Sequence, residues 1–465
     1  MRVSHSLDAV GVSFDDDRLV ANAGLLAPAT LAEHLGLRDL FETHVDLGDA
    51  PGRANVGHKA MTVIHGVLAG ADSIDDCQVL RSGATGALLG HSVAAPSTIG
   101  TFLRSFRWGH ACQVDKVAGE VLGRGWAAGA GPGDAPVTLD VDSSICETYG
   151  LQKQGGTRFT YTHVRGYHPL FATVAATGDV VHSRLRGGNA HTARGAASFL
   201  AETFARTRAA GASGPVSMRA DSGFFSKKVI DACVAAGVDY SITVKLYKGL
   251  HGLISKIPDD AWTAIPYFLD DGADVAEIAY RALGKGRKGV DCRLIVRRTR
   301  PTPGSQLALL VDYSYHAFIT NRSGDKVALD ADHRRHAVVE NTIRDLKYGV
   351  GLNHLPSGRF GANAAWLGLN VIAHNMARWT ARIGGLDTDG VHAPHDTDPA
   401  TVAPDGRPAR KSFVATDTLR RRHLAIPGRL ASSARRLMVH LPTNWPWADE
   451  FNDCLANLRA VVLIV

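Results

Sequence analysis

The spacing of hydrophobic residues along the chain changes period several times, and each change predicts a different element. Near the start, apolar positions recur at helical spacing over Ala27–Leu40, His58–Ala69 and Pro96–Phe106, the last opened by Pro96-Ser97-Thr98 as a capping signal. A stretch rich in Gly, Ala and Pro, Gly125–Pro136, then predicts a linker and a boundary. Beyond it the period becomes two: Val137, Leu139 and Val141 point one way, while Thr138, Asp140 and Asp142 point the other. Two carboxylates therefore leave one face of a single strand.

The same period continues over Gly166–Val174 and Gly178–Leu185, joined by the turn Ala176-Thr177-Gly178-Asp179, which predicts an antiparallel meander. A helix over Ala193–Ala209, a strand over Pro215–Ala220 ending at Asp221, a helix over Lys227–Ala236 and a strand over Tyr240–Val244 follow. This order of three strands, helix, strand, helix, strand is that of a ribonuclease H-like mixed sheet, which holds acids at strand ends. From Lys245 to Thr320 short alternating runs (Asp291–Arg297, Leu307–Tyr313, His316–Thr320) predict a β-rich insertion. Helical spacing returns from Asp330, with Ala337, Val338, Ile343 and Leu346 as an apolar stripe. It recurs over Ala362–Trp379, where Trp366, Leu369, Val371, Ile372, Met376 and Trp379 predict core packing.

The expected fold is therefore α/β: an RNase H-like mixed sheet with a β-rich insertion, a helical N-terminal module and a helical, basic C-terminal segment. The predicted parts are 1–125, 136–245 and 326–385 for the two pieces of the core, 246–325 for the insertion, and 400–465.

At 465 residues, 45% hydrophobic and 21% charged, the chain has room for several modules and the balance of a globular protein, which excludes a disordered or membrane-embedded class. Its longest apolar run, Ala460–Val465, falls far short of the about 20 residues a bilayer span needs. The opening MRVSHSLDAVGVSFDDD has no basic stretch followed by an apolar one, so a cytoplasmic location is expected rather than secretion. Cys77, Cys112, Cys146, Cys233, Cys292 and Cys454 stand far apart with no Cys-x-x-Cys pair, which argues against a zinc ribbon or disulfide framework and predicts buried thiols.

Net charge is +6, and its distribution matters more than its size. Between Thr401 and His440 nine basic residues face two acids, so this segment alone carries +7 and the remainder −1. A basic segment on a near-neutral body is the footprint of a polyanion partner.

Three acids occupy distinct settings: Asp142 on the first strand, Asp221 at the end of a later one, Glu340 on a helix. Converging carboxylates are hard oxygen ligands suited to Mg²⁺, and paired ions suit phosphoryl transfer. Arg344 and Lys347 follow Glu340 at +4 and +7 on its helix face; the alternative for Arg344 is a plain salt bridge to Glu340.

The segments LDVDSS, RADSGFF and HRRHAVVENTIRDLKYGVGL, with the insertion between the second and third, resemble the DDE transposases of bacterial insertion sequences, in the branch with a Tyr-Arg-Glu-Lys signature. APSTIGTFLRSF, GYHPLFATV, LRGGNAHTARGAASFL, FGANAAWLGLNVIAHNMARW and LRRRHLAIPGRLASSARRL are similar to one group of that branch, so the resemblance covers nearly the whole chain. It implies Asp142 as the first catalytic Asp, because the family residue is followed by small hydroxyl residues, here Ser143 and Ser144; Asp140 is the alternative. The second Asp falls on Asp221, the Glu on Glu340 and the signature Lys on Lys347. The signature departs at His333 and His336, where Tyr and Arg would stand, and Arg334 and Arg335 between them are candidates for the missing phosphate contact.

The resemblance further implies cut-and-paste transposition. Terminal inverted repeats are nicked and the freed 3′-hydroxyl attacks the opposite strand or target DNA, with Mg²⁺ (Mn²⁺ as substitute) at two ions per site, a hairpin intermediate and a dimeric synapse on double-stranded, nucleoid-located DNA. Residues 1–125 are then expected to recognise the repeat. Arg334, Arg335, His336, Arg344, Lys347, Arg420, Arg421 and Arg422 are expected to contact DNA, the C-terminal run doing so or meeting a second protomer. The alternatives are a metal-dependent nuclease without strand transfer and a non-catalytic DNA-binding regulator. Gly284-Lys-Gly-Arg-Lys-Gly289 fits GxGxxG but leads into a strand, which predicts a basic hairpin turn rather than a dinucleotide site.

Overall fold

The computed structural model describes residues 6–149, 153–154, 158–160, 162–266, 272–284, 289–301, 304, 313–387, 414–433 and 436–462. The interior of the Gly284–Gly289 turn, the predicted strand Leu307–Tyr313 apart from its last residue, Arg407, Arg410, Lys411, Arg435 and residues 463–465 of the apolar terminus lie outside them.

A short strand β1 (Leu19–Val20) precedes helices α1 (Leu26–His34), α2 (Leu37–His44), α3 (Val56–Ala69), α4 (Thr85–Leu89), α5 (Pro96–Arg104) and α6 (Trp108–Gly125). The single helix expected over Ala27–Leu40 is two, because the chain turns at Gly36, whose φ of +59° lies in the left-handed region. Strands β2 (Val137–Ser143), β3 (Cys146–Glu147), β4 (Arg158–Phe159), β5 (Arg165–Tyr167), β6 (Leu170–Val174) and β7 (Val180–Arg184) follow. Then come α7 (Ala196–Ala209), β8 (Val216–Ala220), α8 (Lys227–Ala235), β9 (Asp239–Val244) and α9 (Lys248–Ile254). β10 (Thr263–Ala264), β11 (Ala273–Ala282), β12 (Val290–Thr299) and β13 (Ser314–Thr320) lead to α10 (Lys326–Arg334), α11 (Val339–Arg344) and α12 (Phe360–Ile383). The last elements are α13 (Thr416–Leu419), β14 (Gly428–Ser433), β15 (Arg436–His440) and α14 (Ala448–Ala460).

Nine strands form one sheet in the order β10-β11-β12-β13-β9-β8-β2-β6-β7. Within it, β7, β6 and β2 run antiparallel as the predicted meander, while β2, β8 and β9 run parallel, connected through α7 and α8. Three antiparallel strands followed by two parallel ones through helical crossovers is the RNase H-like topology. The insertion continues this same sheet, since β13 pairs with β9 and β12 with β13. It adds a satellite core of Ile265, Ala273, Val275, Ile295, Phe318 and Leu329.

The main hydrophobic cluster extends from Leu25 to Leu458 and so includes the N-terminal helices and α14. At its centre is α12, where Trp366, Leu369, Val371, Ile372, Met376 and Trp379 are all buried. Its polar residues grip the predicted β6–β7 turn: Asn375 bonds both backbone groups of Val180 at 2.9 Å, His374 bonds Gly178 O at 3.0 Å, and Arg378 donates to Thr177 O at 2.8 Å. The stretch expected as a linker is packed: Trp126 is buried, its Nε1–H donating to Asp179 Oδ2 at 2.8 Å, and Asp179 also receives Arg382.

Three local expectations differ. In the stripe after Asp330, Ala337 is exposed and Val339 is buried instead, because a tight turn over Arg335–Val338 shifts the helical phase between α10 and α11. The described residues of 428–440 form two antiparallel strands rather than a helix; Pro427 ends the preceding helical turn, and β14 pairs with β1. Cys112 is exposed on α6, whereas Cys77, Cys146, Cys233 and Cys454 are buried. No helix among the described residues is long and apolar enough to cross a membrane.

Candidate active site

The strand registers bring the first two acids side by side. Val141 pairs in parallel with Ala220, and the next step along both chains sets Asp142 on β2 beside Asp221, which leaves β8 in extended conformation. Each carboxylate is oriented by a local amide. Ser143 N–H donates to Asp142 Oδ1 at 2.6 Å, and Gly223 N–H donates to Asp221 Oδ1 at 2.9 Å, so Asp221 caps the short turn Ser222–Phe224.

Glu340 stands on α11, close enough for its charge to act on Asp142. Its helix is tied to β2 one turn earlier, where His336 Nδ1 donates to Asp140 Oδ1 at 2.9 Å. One hydrogen bond therefore ties the turn before α11 to the strand of Asp142, four residues before Glu340.

The electrostatics register this meeting. Burial pushes the Asp142 carboxyl up to about 6, with the Asp221 and Glu340 carboxylates raising it further while the Ser143 amide and His336 oppose the shift. Glu340 makes no salt bridge to Arg344 among the described residues, so the plain ion-pair reading of that spacing does not apply; Glu340 is exposed. The donor set, three carboxylates that repel one another, fits a hard divalent ion. Among the described residues no group of three His, Cys, Asp or Glu side chains is already drawn in to ligand distances, so an ion would have to pull the carboxylates closer.

Asp140, on the same strand face, is placed differently. Arg219 grips it with Nε at 2.7 Å and Nη2 at 2.8 Å, and Arg219 also donates to Asp332 O at 2.6 Å. With His336 added, both oxygens of this buried carboxylate are occupied, which sets Asp140 as an anchor. Next to Asp142, the Ser143 hydroxyl lies 2.9 Å from His168 Nε2, and His168 Nδ1 bonds Ala190 O at 2.9 Å. The carbonyl fixes the proton on Nδ1, so Nε2 accepts from Ser143. His168 is buried.

A family model described as the transposase DDE domain, group 1, matches residues 4–389 of the chain. The chain belongs to the DDE transposase family. Among curated proteins no sequence matches it. Among solved structures, one match is the cryo-EM structure of the piggyBac transposase synaptic complex with hairpin DNA, at 10% identity and a TM-score of 0.44, covering 81% of this chain and 78% of that one.

For the DDE transposase chain, the expected DNA contacts separate into inward and outward groups. His336 is engaged by Asp140, and His333 is buried between Ser241 Oγ at 2.6 Å and Thr243 Oγ1 at 2.9 Å, stacked on Phe318. Arg334 is paired with Asp330 at 2.9 Å. Arg335 and Arg344 are exposed without an ion pair among the described residues. Lys347 sits in a widened turn, Asp345–Gly349, near enough to Cys146 to act on its thiol.

Of the C-terminal arginines, Arg420 is turned inward, donating to Leu68 O at 3.0 Å, Val67 O at 3.2 Å and Gly349 O. Burial lowers its pKa. Arg421 is exposed beside Asp417 at 3.2 Å, and Arg422 lies over the Trp447 ring at 5.5 Å. Sequence reasoning missed Arg219 as the residue that anchors Asp140. A signal existed, since Arg219 stands two residues before Asp221 and shares its strand face.

Proposed function

We propose that the chain is a cut-and-paste DNA transposase, cleaving at the terminal inverted repeats of an insertion sequence and joining the freed 3′ ends to target DNA. The observation that supports this most is the strand register that sets Asp142 beside Asp221, with Glu340 near enough for its charge to act on Asp142, in a chain of the DDE family. These three residues would hold Mg²⁺, or Mn²⁺ in its place, and the bound ions, two in this reading, would supply charge neutralisation and an activated attacking oxygen.

The chain's own residues supply positioning. Ser143 and Gly223 amides aim the two aspartates, and the Asp140–His336 hydrogen bond aims the glutamate. In this reading Arg335, Arg344 and Lys347, close in sequence to Glu340, serve as cations for DNA phosphates, together with Arg334, Arg421 and Arg422. In this reading residues 1–125 recognise the repeat, 136–245 and 326–385 carry the chemistry, 246–325 extend the sheet, and 400–465 contact DNA or a second copy in a dimeric synapse.

The test is incubation of the protein with Mg²⁺, a labelled duplex ending in the element's own repeat, and a supercoiled target. Cleavage at the repeat boundary with repeat-to-target joints supports transposition. Cleavage without joints assigns a nuclease, and binding without cleavage assigns a regulator.

A further inference from the structure

The sequence places most of its excess positive charge in the C-terminal segment, but three of its five described basic residues are answered. Arg420 is buried against carbonyls, Arg421 faces Asp417 and Arg429 faces Asp16. The same holds for many arginines elsewhere, including Arg184 with Glu202, Arg206 with Asp115 and Arg293 with Glu277.

Away from the carboxylates, one corner gathers three arginines without such partners. Arg104, Arg107 and Arg359 are exposed, and none of them pairs with a carboxylate among the described residues. Arg359 Nη1 donates to Arg104 O at 2.8 Å, which holds the loop before α12 on the α5–α6 corner. Gly361 permits this approach: a Cβ there would meet Phe106 O at 2.3 Å and Arg107 Cα at 2.9 Å. Beside these arginines stands Trp108, 50% exposed although it is among the largest apolar side chains. Three uncompensated guanidiniums with an exposed indole form a surface for a polyanion with flat apolar edges, and nucleic acid has both.

The corner is connected to the carboxylates. The Trp108 ring lies 5.8 Å from that of Phe360, which lies 5.9 Å from that of Tyr167. Tyr167 is the register partner of Cys146, four residues after Asp142. Four residues span at most about 14 Å of chain. The corner therefore lies within one helical turn of duplex, roughly 34 Å, of the carboxylates.

We infer that Arg104, Arg107, Trp108 and Arg359 grip the sugar–phosphate backbone of duplex DNA within one helical turn of the catalytic carboxylates, as the chain's main backbone grip. This rests on the transposase reading above. The grip is sequence-independent: the guanidiniums bind phosphates and the indole packs on sugar.

The test is the salt dependence of binding, from fluorescence anisotropy, to a repeat-ended duplex and to a scrambled duplex of equal length. For Arg104→Ala/Arg107→Ala/Arg359→Ala the slope of log K against log salt should fall by about 2 to 3 on both duplexes, since each phosphate neutralised contributes about 0.9. Arg107→Ala alone, which removes no ion pair from the fold, should lower the slope by about one unit, and the triple Lys variant should recover most of the wild-type slope. Trp108→Ala should weaken both duplexes with the slope unchanged.

An unchanged slope in Arg107→Ala and the triple variant overturns the inference. So does a weakening confined to the repeat duplex, or a larger fall in slope from Arg421→Ala/Arg422→Ala/Arg429→Ala. If the wild type binds neither duplex, the transposase reading fails along with it.

Discussion

His336 and Asp140 join the helix of the glutamate to the strand of the first aspartate through a 2.9 Å hydrogen bond, imidazole Nδ1–H to carboxylate Oδ1. That bond ties the turn before α11 to β2, four residues before Glu340. In the sequence the same residue is a candidate DNA contact, so the two roles predict different outcomes. His336→Ala should reduce cleavage by roughly ten- to hundredfold, as a loosened catalytic group does, while leaving duplex affinity unchanged. Weakened affinity with normal turnover of bound DNA would return His336 to the DNA surface.

Asp140 and Asp142 differ by two positions and should differ in kind. Removing Asp140 leaves the Arg219 guanidinium buried without its partner, and Asp140→Ala should destabilise the fold by about 3 to 5 kcal/mol in urea unfolding. Asp142→Ala should leave stability intact or improved. Equal destabilisation by both would remove the distinction between anchor and ligand.

Asp142 also gives a pH signature in metal-free protein. Its carboxyl is held at about 6 in the fold, against an ordinary 3.8. Between those values the folded state binds more protons than the unfolded one, so this group's contribution to stability falls as pH rises, and the deficit is complete above pH about 6. Its size is on the order of 2 to 3 kcal/mol. Without divalent ions, Asp142→Asn should be more stable than wild type at pH 7.5 by that order, and the gap should close near pH 4. A pH-independent gap would mean that burial and the neighbouring carboxylates do not press on Asp142.

Arg420 and Arg421 are adjacent in sequence and opposite in the fold. Arg420→Ala removes the donor to three carbonyls, of which Val67 O keeps the Gly70 amide, and should lower stability by about 2 to 4 kcal/mol, whereas Arg421→Ala should stay within about 0.5 kcal/mol. Destabilisation at Arg421 without any at Arg420 would reverse the assignment.

Much of this architecture is legible in the sequence because it follows from periodicity. The alternation at Val137–Ser143, the meander turn at Gly178 and the apolar stripe of α12 each appear as strand, turn and helix where the spacing puts them. What the sequence hides is where polar side chains find partners. Three arginines in a row read as one cationic cluster, but helical geometry points Arg420 inward and its neighbours outward. The uncompensated Arg104, Arg107 and Arg359 come from segments 255 residues apart, joined only when α12 docks on the α5–α6 corner. Likewise the phase shift at Arg335–Val338 does not show in the spacing of apolar residues; it coincides with the long-range pairing of His336 with Asp140.

The central claim is that Asp142, Asp221 and Glu340 act as one catalytic set. The most direct measurement is cleavage of a repeat-ended duplex in Mg²⁺ by wild type, Asp142→Asn, Asp221→Asn and Glu340→Gln, with duplex affinity measured alongside. The prediction is that all four bind DNA and only the wild type cuts. Cutting by any one of the three variants at a wild-type rate would contradict the account.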